Sequence, residues 1–230
     1  MTAAVVTAVT GTVAAVVRNG YFKTAVDGEG FLIPWHPMQL LFWILAGIVL
    51  VLAGLLTMKM PKFRPEVPAD MEAGFAQLLL GVCLGLTAFR LPDGLRFYFI
   101  LKILGFAAGA VFLLDGVFRC MGKKLGIVPY SLFCIFLLLY SIDLYAQWSN
   151  VPEMERILVP ALGQILLVPL ACEKAIQDSG AGDGKALLVL SMAAGFFCIA
   201  AIGCPGVQLL HLGGVVLSVS TLLSLRKEGV

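Results

Sequence analysis

Charge is scarce in this chain. Asp, Glu, Lys and Arg make up 13% of its 230 residues, against roughly 25% in soluble domains, which excludes an ordinary water-exposed surface of this length. Histidine is scarcer still, with His36 and His211 the only two. Bis-histidine haem ligation would need both, and His36 sits between prolines in a loop. The six cysteines are Cys83, Cys120, Cys134, Cys172, Cys198 and Cys204, and no two are spaced C-x-x-C. That argues against a zinc site and a disulfide framework, and leaves the cysteines as small apolar fillers. G-x-S-x-G and H-E-x-x-H are both missing, so the chain leans away from an enzyme and implies no cofactor or metal. No Lys/Arg-rich stretch is interleaved with aromatics, which excludes nucleic acid as a partner. No Lys or Arg precedes the run Thr2–Val17. It therefore lacks the charged start of a signal peptide and reads as a retained membrane helix.

What the chain has is apolar length. Hydrophobic residues make up 60% of it and its mean hydropathy is +0.98. A helix needs about 20 residues to span the hydrocarbon core. Eight apolar runs qualify: Thr2–Phe22, Met38–Met58, Glu72–Phe89, Phe97–Phe118, Ile127–Gln147, Arg156–Cys172, Ala186–Gly203 and Val207–Leu225. Pro160 and Pro169 interrupt the sixth, and Cys204-Pro205-Gly206 splits the last two as a tight turn. The expected fold is an all-α, polytopic transmembrane helix bundle of about eight helices, a single integral membrane domain over residues 1–230.

Loop charges orient it. One side collects Lys59, Lys62, Arg64, Arg119, Lys123, Lys124, Lys174, Lys185, Arg226 and Lys227; the other has Arg18, Lys23, Arg90, Arg96, Lys102 and Arg156. The positive-inside rule then places both termini in the cytoplasm. Tyr21, Trp35, Trp43, Tyr98, Tyr140, Tyr145 and Trp148 fall toward the outer side and Tyr130 toward the inner. The longest outer loop contains Asp-Gly-Glu-Gly, a turn signal, followed by Pro34 and Pro37. A small extracytoplasmic hairpin or cap is expected over residues 23–37.

Helices in lipid associate through close backbone approach, which small residues permit. Gly81/Gly85, Gly105/Gly109, Ser191/Gly195 and Gly214/Ser218 have the required spacing. The first helix has only Ala, Val, Thr and Gly from Thr2 to Val17, so it suits the inside of a bundle or a partner's surface.

Ionisable groups within a span cost about 2.5–3.5 kcal/mol on insertion scales and mark candidate sites. Asp115 and Arg119 lie four residues apart, the spacing of a structural ion pair on one helix face. Lys102, Asp143 and His211 fall one to two turns below the outer surface on the fourth, fifth and eighth helices. With Tyr140, Arg90 above and Gln164 as a floor, they are the candidate lining of an outward-facing polar pocket. Asp115 and Asp143 fall near opposite faces, so a two-aspartate protease site is excluded by geometry.

Two stretches carry a resemblance, Gly30-Phe31-Leu32-Ile33-Pro34-Trp35-His36-Pro37 and Tyr145-Ala146-Gln147-Trp148-Ser149-Asn150-Val151-Pro152. Together they resemble an uncharacterised family of small multi-pass membrane proteins from anaerobic Gram-positive bacteria. The resemblance implies a bacterial plasma membrane and no residue roles. Two functions fit the residues: binding or transport of a small solute or ion through the outward pocket, and a structural or sensory membrane subunit. The expected partners are the lipid bilayer and either a membrane protein or further copies of this chain.

Overall fold

Hydrocarbon offers no partner for a free backbone N–H or C=O, so a spanning chain must close those bonds within helices or a barrel. This chain takes the helical solution. The computed structural model describes residues 2–25, 32–33, 35–59, 71–148, 154–203 and 208–227. Within them run α1 (Thr2–Thr24), α2 (Pro37–Lys59), α3 (Met71–Phe89), α4 (Tyr98–Cys120), α5 (Val128–Trp148), α6 (Met154–Asp178), α7 (Gly184–Ala201) and α8 (Gln208–Lys227). Seven are long and apolar enough to cross a membrane, and α5 carries a shorter apolar stretch, Val128–Leu144. The fold is a multi-pass membrane helix bundle.

Successive helices run antiparallel. Gly74, early in α3, faces Gly116 and Cys120, late in α4. Ser141, late in α5, meets Gln164, early in α6. The near end of the bundle therefore holds the start of α1 and the finish of α8, and the far end holds the turns from α1 to α2 and from α7 to α8. α3, α4, α5, α6 and α8 pack in a closed ring, and α7 fills the angle between α6, α8 and the outlying pair α1–α2. Within its 18-residue span 72% of α7 is buried, against 22% for α1 and for α2. So α1, small side chains notwithstanding, is peripheral. It turns Val5, Val9, Val13 and Val16 outward and Gly11 toward Ile199 of α7.

Most helix limits fall within a few residues of the apolar runs. The exception is α6, which continues through Pro160 and Pro169 and past Cys172 to Asp178. Gly180 ends it. At φ 85° that residue occupies left-handed backbone, which glycine adopts without strain, and Ala181 N–H closes back on Ile176 O at 3.1 Å. Of the expected outer cap, α1 extends to Thr24, Tyr21 Oη donates to Ile33 O at 3.2 Å, and Ile33 N–H donates to Ala25 O at 2.9 Å. Residues 26–31 and 34 lie outside the described residues, as does the Cys204-Pro205-Gly206 turn.

α3 and α4 approach most closely. A Cβ added at Gly81 would sit 2.8 Å from Gly109 O, and one at Gly116 would sit 2.9 Å from Gly74 O. Aromatics fill the neighbouring core. Phe112 meets Tyr130 and Phe133 edge-on at 5.5 and 5.9 Å, and Phe136 stacks on Tyr140 at 5.6 Å. Gly81→Val should therefore destabilise the bundle by about 1–3 kcal/mol through overpacking. Gly85→Ala, whose added Cβ meets nothing within 4 Å, should leave it unchanged or slightly more stable. Thermal unfolding in detergent micelles reads both; equal losses would contradict this packing.

Candidate functional site

The near end has a buried polar core. Asp115 and Arg119 lie one turn apart on α4, and Arg119 Nε meets Asp115 Oδ2 at 2.5 Å. The other edge of the guanidinium reaches α6, where Nη2 meets Asp178 Oδ2 at 2.6 Å. Arg119 is 1% exposed and both carboxylate side chains 0%, so the three charges interact where water screens little. Asp115 Oδ1 accepts the Leu125 backbone N–H at 2.8 Å, and Lys124 Nζ donates to Asp178 O at 3.1 Å. The guanidinium thus ties α4, the α4–α5 connection and α6 into one unit. A Lys on the last carbonyls of α6 also suits the negative end of its dipole.

More polar groups surround it. Lys174 Nζ donates to Gln177 Oε1 at 2.8 Å on α6, and Gln77 Nε2 of α3 donates to Tyr130 Oη of α5 at 2.6 Å. All four residues are buried. Gln77 Oε1 and Asp178 Oδ1 have no hydrogen-bond partner among the described residues.

Beside this core a cavity of about 390 Å³ opens between α3 and α8. Phe75, Leu79, Val215, Val216, Val219 and Leu223 form its apolar wall. Gln77, Arg119 and Lys174 form its polar side, with Glu72, Ser220 and Ser224 also lining it. Phe75, Leu79 and Leu223 are 58%, 54% and 40% exposed, so the wall continues onto the outer surface of the bundle. Arg119 is held by two carboxylates, while Lys174, the other cation lining the cavity, donates to Gln177.

The sequence-derived candidates for an outward pocket occupy separate places at and below the far end. The carboxylate of Asp143 accepts the backbone N–H groups of Arg96 and Phe97, each at 2.9 Å. It supplies from α5 the cap that α4 lacks, since Phe97 at the N-cap offers no side-chain bond. Lys102 Nζ bonds Tyr98 Oη at 2.9 Å and lies over that ring. His211 Nε2 lies 3.1 Å from Pro160 O of α6. Gln164 Oε1 accepts from Ser141 Oγ at 3.4 Å, and Gln164 Nε2 has no partner among the described residues. Tyr140 packs on Phe136, and Arg90 is exposed in the turn after α3. Asp143 is ion-paired to neither Lys102 nor Arg90 among the described residues, and α5 does not contact α8. Asp143, Lys102, His211 and Gln164 thus each have a local partner, and His211 lies beside Gly163, the residue before Gln164.

Sequence reading paired Asp115 with Arg119 but missed Asp178, Lys174, Gln177, Gln77 and Tyr130. A signal for the α6 residues exists. The buried positions Leu167, Leu170, Ala171, Lys174, Gln177 and Asp178 recur every three or four residues, so one inward stripe passes from apolar to polar without changing face.

Removing one partner of a buried pair leaves an uncompensated charge. Arg119→Leu should cost about 3–5 kcal/mol, and Asp143→Asn, which weakens a charge-assisted cap, about 1–2 kcal/mol. Unfolding by SDS in mixed micelles ranks the two; an Asp143 variant less stable than the Arg119 variant would contradict this assignment. No protein family, curated protein or solved structure matches the chain.

Proposed function

We propose that this multi-pass membrane protein binds a small, uncharged, hydroxyl-bearing amphiphile in the near-end cavity. One observation carries the reading: Gln77 is 5% exposed, lines a mainly apolar cavity, and leaves one amide atom without a partner among the described residues. An unsatisfied buried polar atom costs about 1–3 kcal/mol, and a ligand hydroxyl would recover that. A hydroxyl both donates and accepts, so it suits this amide whichever way the oxygen and nitrogen are turned. Tyr130 Oη serves the other amide atom in either orientation.

The remaining features favour the same ligand class. The volume of about 390 Å³ falls in the usual range for small-molecule sites, about 300–1,000 Å³. The apolar wall suits a short alkyl body, and the exposed Phe75, Leu79 and Leu223 mark a side entrance from the bilayer. Arg119 already faces Asp115 and Asp178 and so adds little attraction for a carboxylate or phosphate; Lys174, which donates to Gln177, is the cation that an anionic control ligand tests. The small-solute reading of the sequence is thereby kept and moved from the far end to the near end. The Lys/Arg bias supports a cytoplasmic near end, and the family resemblance supports a bacterial plasma membrane.

Thermal stabilisation in lipid nanodiscs tests this. 1-Decanoylglycerol should raise the unfolding temperature of the wild type, and decanoate should raise it less. Gln77→Leu should weaken the apparent affinity about tenfold, equivalent to about 1.4 kcal/mol. Val219→Trp, which fills the cavity, should abolish the effect. Equal stabilisation of all three proteins, or none of the wild type, would overturn the proposal.

A further inference from the structure

Two cysteines that look unrelated in sequence meet in space. Cys134 is on α5 and Cys172 on α6, 38 residues apart, and their Sγ atoms lie 3.6 Å from each other. Cys134 Sγ also lies 3.7 Å from Val168 O, which keeps it against α6. Forming a bond of about 2.05 Å requires closing roughly 1.5 Å, a displacement on the scale of a side-chain torsion. Neither residue is sealed in the core: Cys134 is half-buried and Cys172 exposed. By contrast, Cys83 and Cys198 are buried.

The surroundings select the chemistry that reaches them. Cys172 lies six residues before the finish of α6, about 9 Å into the bundle at 1.5 Å per residue. Ile135, Leu138, Ile165 and Ile176 are exposed apolar neighbours on the two helices, while Ser131, one turn before Cys134, is exposed with its hydroxyl donating to Ile127 O, and Glu173 is half-buried. A mainly apolar face on a membrane-spanning helix pair favours an oxidant that partitions into lipid over a charged water-soluble one.

We propose that Cys134 and Cys172 form a reversible intramolecular disulfide, with a membrane-dissolved quinone as the oxidant. Two S–H bonds break and one S–S bond forms. The two electrons and two protons pass to the quinone, which becomes a hydroquinone, and a dithiol reductant reverses the step. The bond staples α5 to α6 two residues before the Lys174–Asp178 stretch, near the base on which Arg119 is held. The site stands on sulfur geometry and does not depend on the cavity's ligand.

The test uses the full chain in nanodiscs, treated with decylubiquinone. Free thiols are then counted in denaturant, and intact mass and cysteine labelling are measured. The wild type should lose two of its six thiols, with a mass decrease of two hydrogens and joint loss of labelling at Cys134 and Cys172. Dithiothreitol should restore both. Cys134→Ser and Cys172→Ser should lose none, and Cys134→Ala and Cys172→Ala repeat the test with apolar replacements. An unchanged thiol count, a mass gain from quinone adducts, disulfide-linked dimers, or equal thiol loss in the single variants would each overturn the proposal. The intact mass and the cysteine labelling need only the wild type, so they decide the matter even if a variant fails to fold.

Discussion

A guanidinium held between two carboxylates in a medium that solvates none of them is the constraint on which the near end depends. Arg119 is 1% exposed and reaches Asp115 on its own helix and Asp178 on α6. Burying a lone charge at such a site costs several kcal/mol even after relaxation, so the three residues must be placed together. That requirement brings the end of α4 to the end of α6. It also explains why α6 runs past its apolar stretch, and why the α4–α5 connection folds back so that Leu125 N–H reaches Asp115 and Lys124 reaches the last carbonyl of α6.

The cavity follows from that arrangement. With α4 and α6 locked by charge, α3 packs tightly on α4 through glycines, and α8 packs on α3 at Gly213 beside Leu80 and Cys83. Toward the near end α3 and α8 leave a space between them, which is lined by Gln77 and Val219. Its polar side combines the amide of Gln77 with Arg119, Lys174 and Glu72. At and below the opposite end Asp143 serves as a cap, Lys102 bonds Tyr98, and His211 lies against a carbonyl. Among the described residues the far end also has a void, of about 110 Å³ and lined by Arg18, Tyr21 and Gln39, but the near-end cavity is the larger of the two.

Much of the fold was legible in the chain because lipid imposes a simple rule: apolar runs of sufficient length become helices. Helix count, order and most limits followed from it, and so did the Asp115–Arg119 pair, a local i,i+4 contact. The site was less legible for two physical reasons. Charge near the end of an apolar run reads as the membrane surface, so Glu173 and Lys174 suggested that α6 had stopped, although the helix continues to Asp178. Partners distant in sequence also leave no local trace. Arg119 and Asp178 are 59 residues apart, Gln77 and Tyr130 53, Cys134 and Cys172 38. Asp143 looked like a ligand group because an ionised residue in a span is costly. The cost is offset by two backbone N–H groups at the start of α4, whose positions depend on helix packing.

The central claim is that an amphiphile enters between α3 and α8 with its hydroxyl at Gln77. The most direct measurement is photolabelling in nanodiscs with a short alcohol that carries a diazirine on its alkyl chain, followed by peptide mapping. The account predicts label on Phe75 to Leu79 of α3 and Val215 to Ser224 of α8, reduced by excess unlabelled alcohol. Label spread evenly over the outward valines of α1 and the exposed face of α2, with no such competition, would contradict it.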